Sequence, residues 1–363
     1  MKTHYFSTLI GIFICHLAYS QPQNQIENII IVTTDGFRWQ EVFKGMDASI
    51  AKNPKFNQDD SAGIFKKYWA ETEQIRRTKL MPFLWNTIAA QGQIYGNRSL
   101  GCKVNVSNPY WFSYPGYSEL FCGFVDTAIN KNDYPANPNT NILEFINKLD
   151  GYKGKVAAYC AWDVFDRILN EKRSGFPVIC GNDDCGGLEP DQDQRTINKL
   201  KKDTYNPFGE EAFDVFTHYA AMAELRLNKP KVLYISYGET DEWAHAGRYK
   251  DYLDAAHTVD NWLKDIWNFI QNSNIYKDKT LLIITVDHGR GLKDKWTSHN
   301  SKIAESDQIW FGIIGPQIPA KGEITTNIQL YQKQWTQTIA DFLGLNFKCE
   351  HPVADGFYDV LRK

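Results

Sequence analysis

Carboxylate and imidazole side chains follow several apolar runs of this sequence, at the points where those runs end. One aspartate follows "IIIVTT", an aspartate and a histidine spaced by four follow "VLYIS", and an Asp-His pair follows "LLIITV". A further histidine lies in "WTSHN". In chain order, the six residues are Asp35, Asp241, His245, Asp287, His288 and His299. Carboxylate oxygens and imidazole nitrogens are the ligands that zinc and similar divalent ions take in proteins. Six such residues are too many for one tetrahedral catalytic ion and suit two ions that share a site.

The apolar runs that precede these residues are short, rich in β-branched residues and bounded by turn signals, as buried strands are. Helix-like stretches lie between them. Strands are predicted at 28–36, 155–163, 231–239, 280–289 and 310–316, and helices at 140–150, 211–228, 252–273 and 334–345. This alternation predicts an α/β fold, a three-layer α/β/α sandwich with a largely parallel central sheet. Ligands of such sheets bind at the carboxyl ends of the strands, where the six residues converge.

Each residue by itself has an ordinary interpretation. An aspartate before glycine, such as Asp35, is usually a turn or helix-cap residue, and a lone histidine is usually solvated. The convergence of three aspartates and three histidines on one edge of one sheet favours a metal-binding site over six unrelated roles.

A nucleophile is expected in "NPYWFSYPGYSELFCG". Ser113 precedes a short apolar segment that could form a helix, and backbone N–H groups at a helix N-terminus favour a phosphate. Helix capping is the alternative role of Ser113, and Ser118 is a rival nucleophile.

The N-terminus has the pattern of a secretory signal peptide: a basic start, an apolar stretch and a small-x-small end. Residues 1–20 are predicted to be this signal, and 21–363 a single catalytic domain that is exported to the periplasm or secreted. A lipoprotein is not expected, because Ile14 stands before Cys15 where a small residue belongs. No other apolar segment is long enough to span a bilayer.

Composition excludes some classes of partner. The chain has 363 residues and a net charge of -3, which does not suggest a surface for a nucleic-acid polymer. Six cysteines remain after the signal, and in an oxidising compartment the short loop "CGNDDC" makes Cys180–Cys185 the best disulfide candidate.

Four motifs in the right order make the chain resemble the alkaline phosphatase superfamily, closest to its nucleotide pyrophosphatase/phosphodiesterase branch. The motifs are "VTTDGFRWQ", "SYPGYSELFCG", "TDEWAHAG" and "VDHGRG", with His299 as the last histidine. The resemblance runs from about Ile29 to Gly344. It implies a metal-dependent hydrolase that cleaves small-molecule phosphate mono- or diesters through a phosphoseryl intermediate.

The resemblance also implies roles for individual residues. One ion is held by Asp241, His245 and His299, and the other by Asp35, Asp287 and His288. Ser113 lies between the two ions as nucleophile and ligand. Asn132, chosen among Asn130, Asn132 and Asn137, is expected to bind a phosphoryl oxygen. Zinc is the expected metal, with manganese as the alternative.

The sequence departs from the branch at two points. Gly116-Tyr117 stands where Asn-His is usual. No basic residue can be aligned with those that grip a dianionic phosphate in monoesterases, although Arg167, Lys172 and Arg173 are available. Surface charge is the expected role of these three residues.

The sequence offers three alternative functions. A sulfatase needs a Cys/Ser-x-Pro/Ala-x-Arg motif, which is missing. A phosphotransferase similar to cofactor-independent phosphoglycerate mutase, which uses the same ligand types and a serine nucleophile, is a minor alternative, because 114–230 is too short for a comfortable fit of the inserted domain that it needs. A non-catalytic metal-containing binding protein is the third alternative, and the competent side chain at every expected ligand position argues against it.

Overall fold

The computed structural model describes residues 26–362. Its strands are β1 Asn28–Thr34, β2 Gln93–Tyr95, β3 Cys102–Asn105, β4 Val156–Cys160, β5 Val178–Cys180, β6 Val232–Tyr237, β7 Thr280–Thr285, β8 Gln308–Ile309, β9 Phe311–Ile314, β10 Gly322–Glu323 and β11 Ile328–Tyr331. Over these residues, eight strands form the central sheet in the order β10-β2-β9-β7-β1-β6-β4-β5, and β11-β3-β8 form a small second sheet. The central β7-β1-β6-β4-β5 block is parallel throughout, whereas β9 is antiparallel to both its neighbours.

The helices connect and cover these strands. They are α1 Trp39–Lys44, α2 Ala48–Lys52, α3 Ser61–Tyr68, α4 Glu73–Leu80, α5 Ala89–Gln91, α6 Ser113–Cys122, α7 Ile142–Asn147, α8 Phe165–Ile168, α9 Glu171–Ser174, α10 Gln192–Asp203, α11 Asp214–Leu227, α12 Glu239–His245, α13 Tyr249–Asn272, α14 Trp335–Phe342 and α15 Tyr358–Arg362. A π-helical turn spans Leu84–Ile88, and short 3-10 turns span Arg98–Leu100, Lys293–Lys295 and Gln332–Gln334.

The central strands are buried along their whole length. Every residue of β1, β4, β6 and β7 is buried, which requires helices on both faces of the sheet. The predicted α/β sandwich with a largely parallel sheet is therefore confirmed. One face of α13 is buried as well, and it includes Leu253, Ala256, Val259, Leu263, Ile266 and Ile270.

The strand register fixes where the site residues emerge. Thr33 pairs with Thr285, so Asp35 and Asp287, each two residues further on, leave the sheet at the same level. Asp35 also donates its backbone N–H to the Tyr237 carbonyl at 2.8 Å, one residue before Gly238. The ends of β1, β6 and β7 therefore meet at one edge.

Some expectations are corrected, and others fall outside the described residues. Cys180 and Cys185 are separate thiols, because Cys180 Sγ contacts the Asp163 carbonyl at 3.0 Å and Cys185 Sγ contacts Asn198 Oδ1 at 3.2 Å. The predicted signal peptide, residues 1–20, lies outside the part of the chain that the structure describes. Within residues 26–362, no helix is long and apolar enough to cross a bilayer.

Candidate metal centre

Asp35, Asp287 and His288 form one group of potential metal ligands at the ends of β1 and β7. His288 Nε2 lies 3.3 Å from Asp35 Oδ1 and 3.2 Å from Asp287 Oδ2. All three side chains are buried. Gly36 donates its backbone N–H to Asp287 Oδ1 at 3.1 Å, so the turn after β1 holds the carboxylate that follows β7.

Asp241, His245 and His299 meet beside this group. Helix α12 begins directly after β6, and its Asp241 and His245 lie one turn apart on the same face. His245 Nε2 lies 3.0 Å from Asp241 Oδ2 and 3.0 Å from His299 Nε2. His299 Nε2 is 3.8 Å from Asp241 Oδ1. The structure therefore brings together the three residues that the resemblance assigns to one ion.

The two groups of potential metal ligands are in direct contact. The rings of His288 and His299 stack with centroids 3.9 Å apart, and Asp241, His288 and His299 also form a group of potential ligands. His288 Nδ1 lies 2.9 Å from the Gly289 carbonyl and His299 Nδ1 lies 3.2 Å from the Trp111 carbonyl. Donation from each Nδ1–H would leave both Nε2 atoms free to coordinate, as second-layer contacts of metal-binding histidines commonly do.

The residues fit a divalent cation on two observations. Asp35 Oδ1 and Asp287 Oδ2 are buried and have no hydrogen-bond partner among the described residues, although both face His288 Nε2. Buried carboxylates without compensating charge are costly, and their protonation behaviour reflects this. Burial, followed by the charge of Asp35, raises the pKa of Asp287 to about 7. Burial by itself would lower the pKa of His288, but Asp287 and Asp35 outweigh it and raise the pKa to about 9. A divalent ion would take the place of the protons that this group otherwise retains.

Ser113 is the first residue of α6, and its hydroxyl points at the same centre. Ser113 Oγ lies 3.4 Å from His288 Nε2, and the residue is buried. The neighbouring Tyr114 donates its backbone N–H to Asn132 Oδ1 at 3.0 Å. The exposed Asn132 therefore lies at the N-terminus of the helix that carries the expected nucleophile. Ser118, the rival serine, instead accepts a hydrogen bond from Asn137 at 3.0 Å.

The two residues that depart from the branch pattern both pack against the centre. Tyr117 donates its hydroxyl to Asp35 Oδ2 at 2.9 Å, a role that the sequence analysis did not identify. A Cβ on Gly116 would lie 2.5 Å from the Asp287 carbonyl oxygen, so glycine is needed for α6 to approach β7 this closely.

Two buried arginines connect the loops around the centre, and neither role was identified from the sequence. Arg290, directly after the Asp-His-Gly motif, contacts Asp241 Oδ1 and donates to the Trp296 carbonyl at 2.8 Å. Arg38, in the first motif, pairs with the buried Glu41 and donates to the Gly291 carbonyl at 2.9 Å. Through its contacts with Glu41 and the Gly291 carbonyl, Arg38 connects the loop after β1 to the loop after β7.

The basic residues considered for phosphate binding have other contacts. Arg173 pairs with Glu144 at 2.8 Å and donates to three carbonyl groups of 137–139. Arg167 donates to the Tyr134 carbonyl at 3.1 Å. Lys172 is exposed. Arg173 is therefore a half-buried structural residue and not the exposed surface charge that the sequence predicts.

Comparisons with known proteins agree with this arrangement. The sequence model of the metalloenzyme superfamily matches residues 192–345, a segment of less than half the chain that contains Asp241, His245, Asp287, His288 and His299. A search of curated proteins found no match.

Several solved structures share the fold. Wild-type alkaline phosphatase PafA superposes with a TM-score of 0.61 at 10% identity, over 93% of this chain and 99% of that one. The phosphonate monoester hydrolase of Agrobacterium radiobacter gives a TM-score of 0.57 at 12% identity, over 93% of this chain and 77% of that one. A 2-O GAG sulfatase gives 0.57 at 13% identity, over 93% and 74%. The predicted resemblance to the alkaline phosphatase superfamily is confirmed, and these findings do not distinguish its nucleotide pyrophosphatase/phosphodiesterase branch.

Proposed function

We propose that this protein is an exported two-metal hydrolase of phosphate mono- or diesters, with Ser113 as its nucleophile. The proposal depends on the position of Ser113. Its Oγ lies 3.4 Å from Nε2 of His288, a residue that belongs to both groups of potential ligands.

The ligand sets are those that the resemblance implies. Asp241, His245 and His299 would hold one ion, and Asp35, Asp287 and His288 the other. Zinc suits these oxygen and nitrogen ligands, and manganese is the alternative. Two bound divalent ions would favour the ionised serine and stabilise the departing oxygen of the ester.

The chain itself performs the covalent steps. Ser113 loses its proton to solvent and attacks phosphorus, so that a serine O–P bond forms while the bond from phosphorus to the leaving oxygen breaks. Water then attacks the phosphoserine, the serine O–P bond breaks and Ser113 regains its proton. Asn132, beside Tyr114, is proposed to donate its amide N–H to a phosphoryl oxygen.

Phosphate is favoured over sulfate by the residues that follow Ser113. A sulfatase motif requires arginine at the position of Tyr117, and here Tyr117 donates to Asp35 instead. The fold similarity to a sulfatase therefore does not extend to this motif.

Turnover of p-nitrophenyl phosphate and bis-p-nitrophenyl phosphate by the zinc-loaded protein tests the proposal. We expect activity on at least one ester, a loss of at least about 1000-fold in Ser113→Ala, and near wild-type rates in the matched control Ser118→Ala. The ratio of the two rates decides between monoesterase and diesterase. Equal rates for Ser113→Ala and wild type would overturn the nucleophile assignment, and no turnover of either ester by zinc-bound wild type would contradict the proposed hydrolase.

A further inference from the structure

A cavity of about 500 Å³ lies between the π-helical turn Leu84–Ile88 and the second half of α13. Its lining includes the exposed residues Asn86, Gln91 and Asn268, so the cavity opens to solvent. None of its lining residues has a role in the mechanism above. Cavities of this size are in the range that proteins use to bind small molecules.

The cavity is separate from the metal centre. Helix α13 begins at Tyr249, four residues after His245, and leads back towards the start of β7. The part of α13 that lines the cavity, residues 260–271, begins about 17 Å further along the helix axis, at a rise of about 1.5 Å per residue. The cavity is therefore not part of the site around Ser113, and its role is independent of the proposed hydrolase.

A buried carboxylate fixes the π-helical turn that forms one wall of the cavity. Asp260, on α13, accepts the backbone N–H groups of Phe83 at 2.6 Å and Leu84 at 2.8 Å, and its side chain is buried. The turn carries Asn86 and Thr87, which line the cavity. π-Helical turns are rare and frequently occur at functional sites. This wall is therefore held in place by the protein itself.

Amide side chains surround the opening of the cavity. The four lining amides that have no hydrogen-bond partner within residues 26–362 are those of Asn86, Gln91, Asn268 and Gln271. Each amide offers two N–H donors and one carbonyl acceptor. Phe83 and Trp267, which are both largely buried, supply aromatic surface to the same lining. The cavity thus combines unpaired hydrogen-bonding groups with aromatic surface.

The charges of the lining balance. Its charged residues are Asp260 and Lys264, which interact electrostatically with each other. The Asp260 carboxylate is also occupied by its two backbone N–H groups. A strongly charged ligand would therefore find no matching set of opposite charges here. The lining favours a neutral ligand that is rich in hydrogen-bonding groups.

We infer that this cavity binds a neutral saccharide chain. Saccharide hydroxyls, like amides, both donate and accept hydrogen bonds, and the C–H groups of sugar rings can contact the rings of Phe83 and Trp267. A peptide fits less well. An extended peptide needs an unpaired sheet edge and a helical peptide needs an apolar groove, whereas two helical segments with amide side chains form this cavity.

Native electrophoresis of the full chain tests this inference, in gels that contain dextran, laminarin, galactomannan or arabinoxylan. We expect at least one of these neutral polysaccharides to slow the protein relative to a gel without polysaccharide. Calorimetry with an oligosaccharide of the same polymer then gives a Kd. The double substitution Asn268→Ala and Gln271→Ala should raise this Kd about tenfold or more, because two hydrogen-bonding groups are lost.

Two further variants distinguish the cavity from the rest of the surface. Asn86→Ala, on the opposite wall, should also raise the Kd, whereas the matched control Asn274→Ala, at an exposed position outside the lining, should not. Unchanged mobility in all four gels overturns the inference. An unchanged Kd in the double variant also overturns it, because the saccharide would then bind elsewhere. Slowing by anionic heparin, with none by the neutral polymers, overturns it as well. These readouts are measured without turnover, so failure of the proposed hydrolase would not affect them.

Discussion

The hydroxyl of Tyr117 donates a 2.9 Å hydrogen bond to Oδ2 of Asp35, and both side chains are buried. The other oxygen, Asp35 Oδ1, is thereby left facing His288 Nε2 at 3.3 Å without a partner. Ser236 Oγ lies 3.4 Å from the same hydroxyl and supports its orientation. Tyr117 therefore positions one oxygen of a proposed metal ligand, although it does not itself contact the ion position.

Replacing Tyr117 with phenylalanine removes this hydrogen bond and keeps the ring. Loss of such a supporting contact lowers metal affinity or activity by about 10- to 100-fold. We expect Tyr117→Phe to need more zinc for half-maximal turnover, and saturating zinc to restore much of the rate. An unchanged zinc dependence would show that Asp35 is held without the hydroxyl.

Metal content measured by mass spectrometry tests the two ligand sets. Wild type should retain about two ions per chain and His299→Ala about one, because His299 is a proposed ligand of only one ion. The control His351→Ala, at an exposed position, should match wild type. Two retained ions in His299→Ala would remove this residue from the ligand set.

His218 predicts a dependence of stability on pH that is separate from the metal centre. Its ring is buried, stacks on Trp262 at 4.8 Å and contacts the Tyr237 hydroxyl at 2.9 Å. Burial lowers the pKa of His218 from 6.5 to about 3. Between these values the unfolded chain binds a proton that the folded protein excludes, so the folded state loses stability as the pH falls below about 6.5.

This contribution amounts to about 2 kcal/mol at pH 5 relative to neutral pH. We expect His218→Phe to flatten the fall in the free energy of unfolding between pH 7 and 5, measured by urea denaturation of the chelated protein. The comparison uses slopes, because losing the Tyr237 contact lowers stability at every pH. Parallel curves for the two proteins would contradict the prediction.

The buried Arg38–Glu41 pair should be sensitive to the loss of one partner. Arg38→Met leaves Glu41 as a buried charge without its counterion, which destabilises a protein by about 3–5 kcal/mol. The exposed pair of Lys199 and Asp203 offers a control, and Lys199→Met should leave stability nearly unchanged because solvent screens this pair. Equal effects of the two substitutions, in urea denaturation, would show that burial does not govern the Arg38 pair.

The sequence predicted the central strands and the residues that follow them, for a physical reason. Strands buried on both faces are continuous apolar runs, so β1, β6 and β7 can be located without knowledge of their neighbours. Asp35, Asp241 and Asp287 come within a few residues of those runs, and the parallel register then brings the strand ends together.

Other features depend on contacts between distant segments and have no local pattern. Tyr117 meets Asp35 across 82 residues, and Arg290 meets Asp241 across 49. Asp260 meets Phe83 across 177 residues, and only the folded chain forms the cavity beside them. The short loop that suggested a Cys180–Cys185 disulfide was misleading, because loop length does not fix the direction of either side chain.

The most direct test of the account is to look for phosphate bound covalently to Ser113. Zinc-loaded protein is mixed with p-nitrophenyl phosphate or bis-p-nitrophenyl phosphate, quenched in acid during the first turnover and mapped by peptide mass spectrometry. The account predicts a phosphoryl or p-nitrophenyl phosphoryl group on the peptide that contains Ser113, at Ser113 itself, with Ser118 unmodified. Turnover that leaves Ser113 unmodified under rapid quenching, or that places the group on another residue, would contradict it.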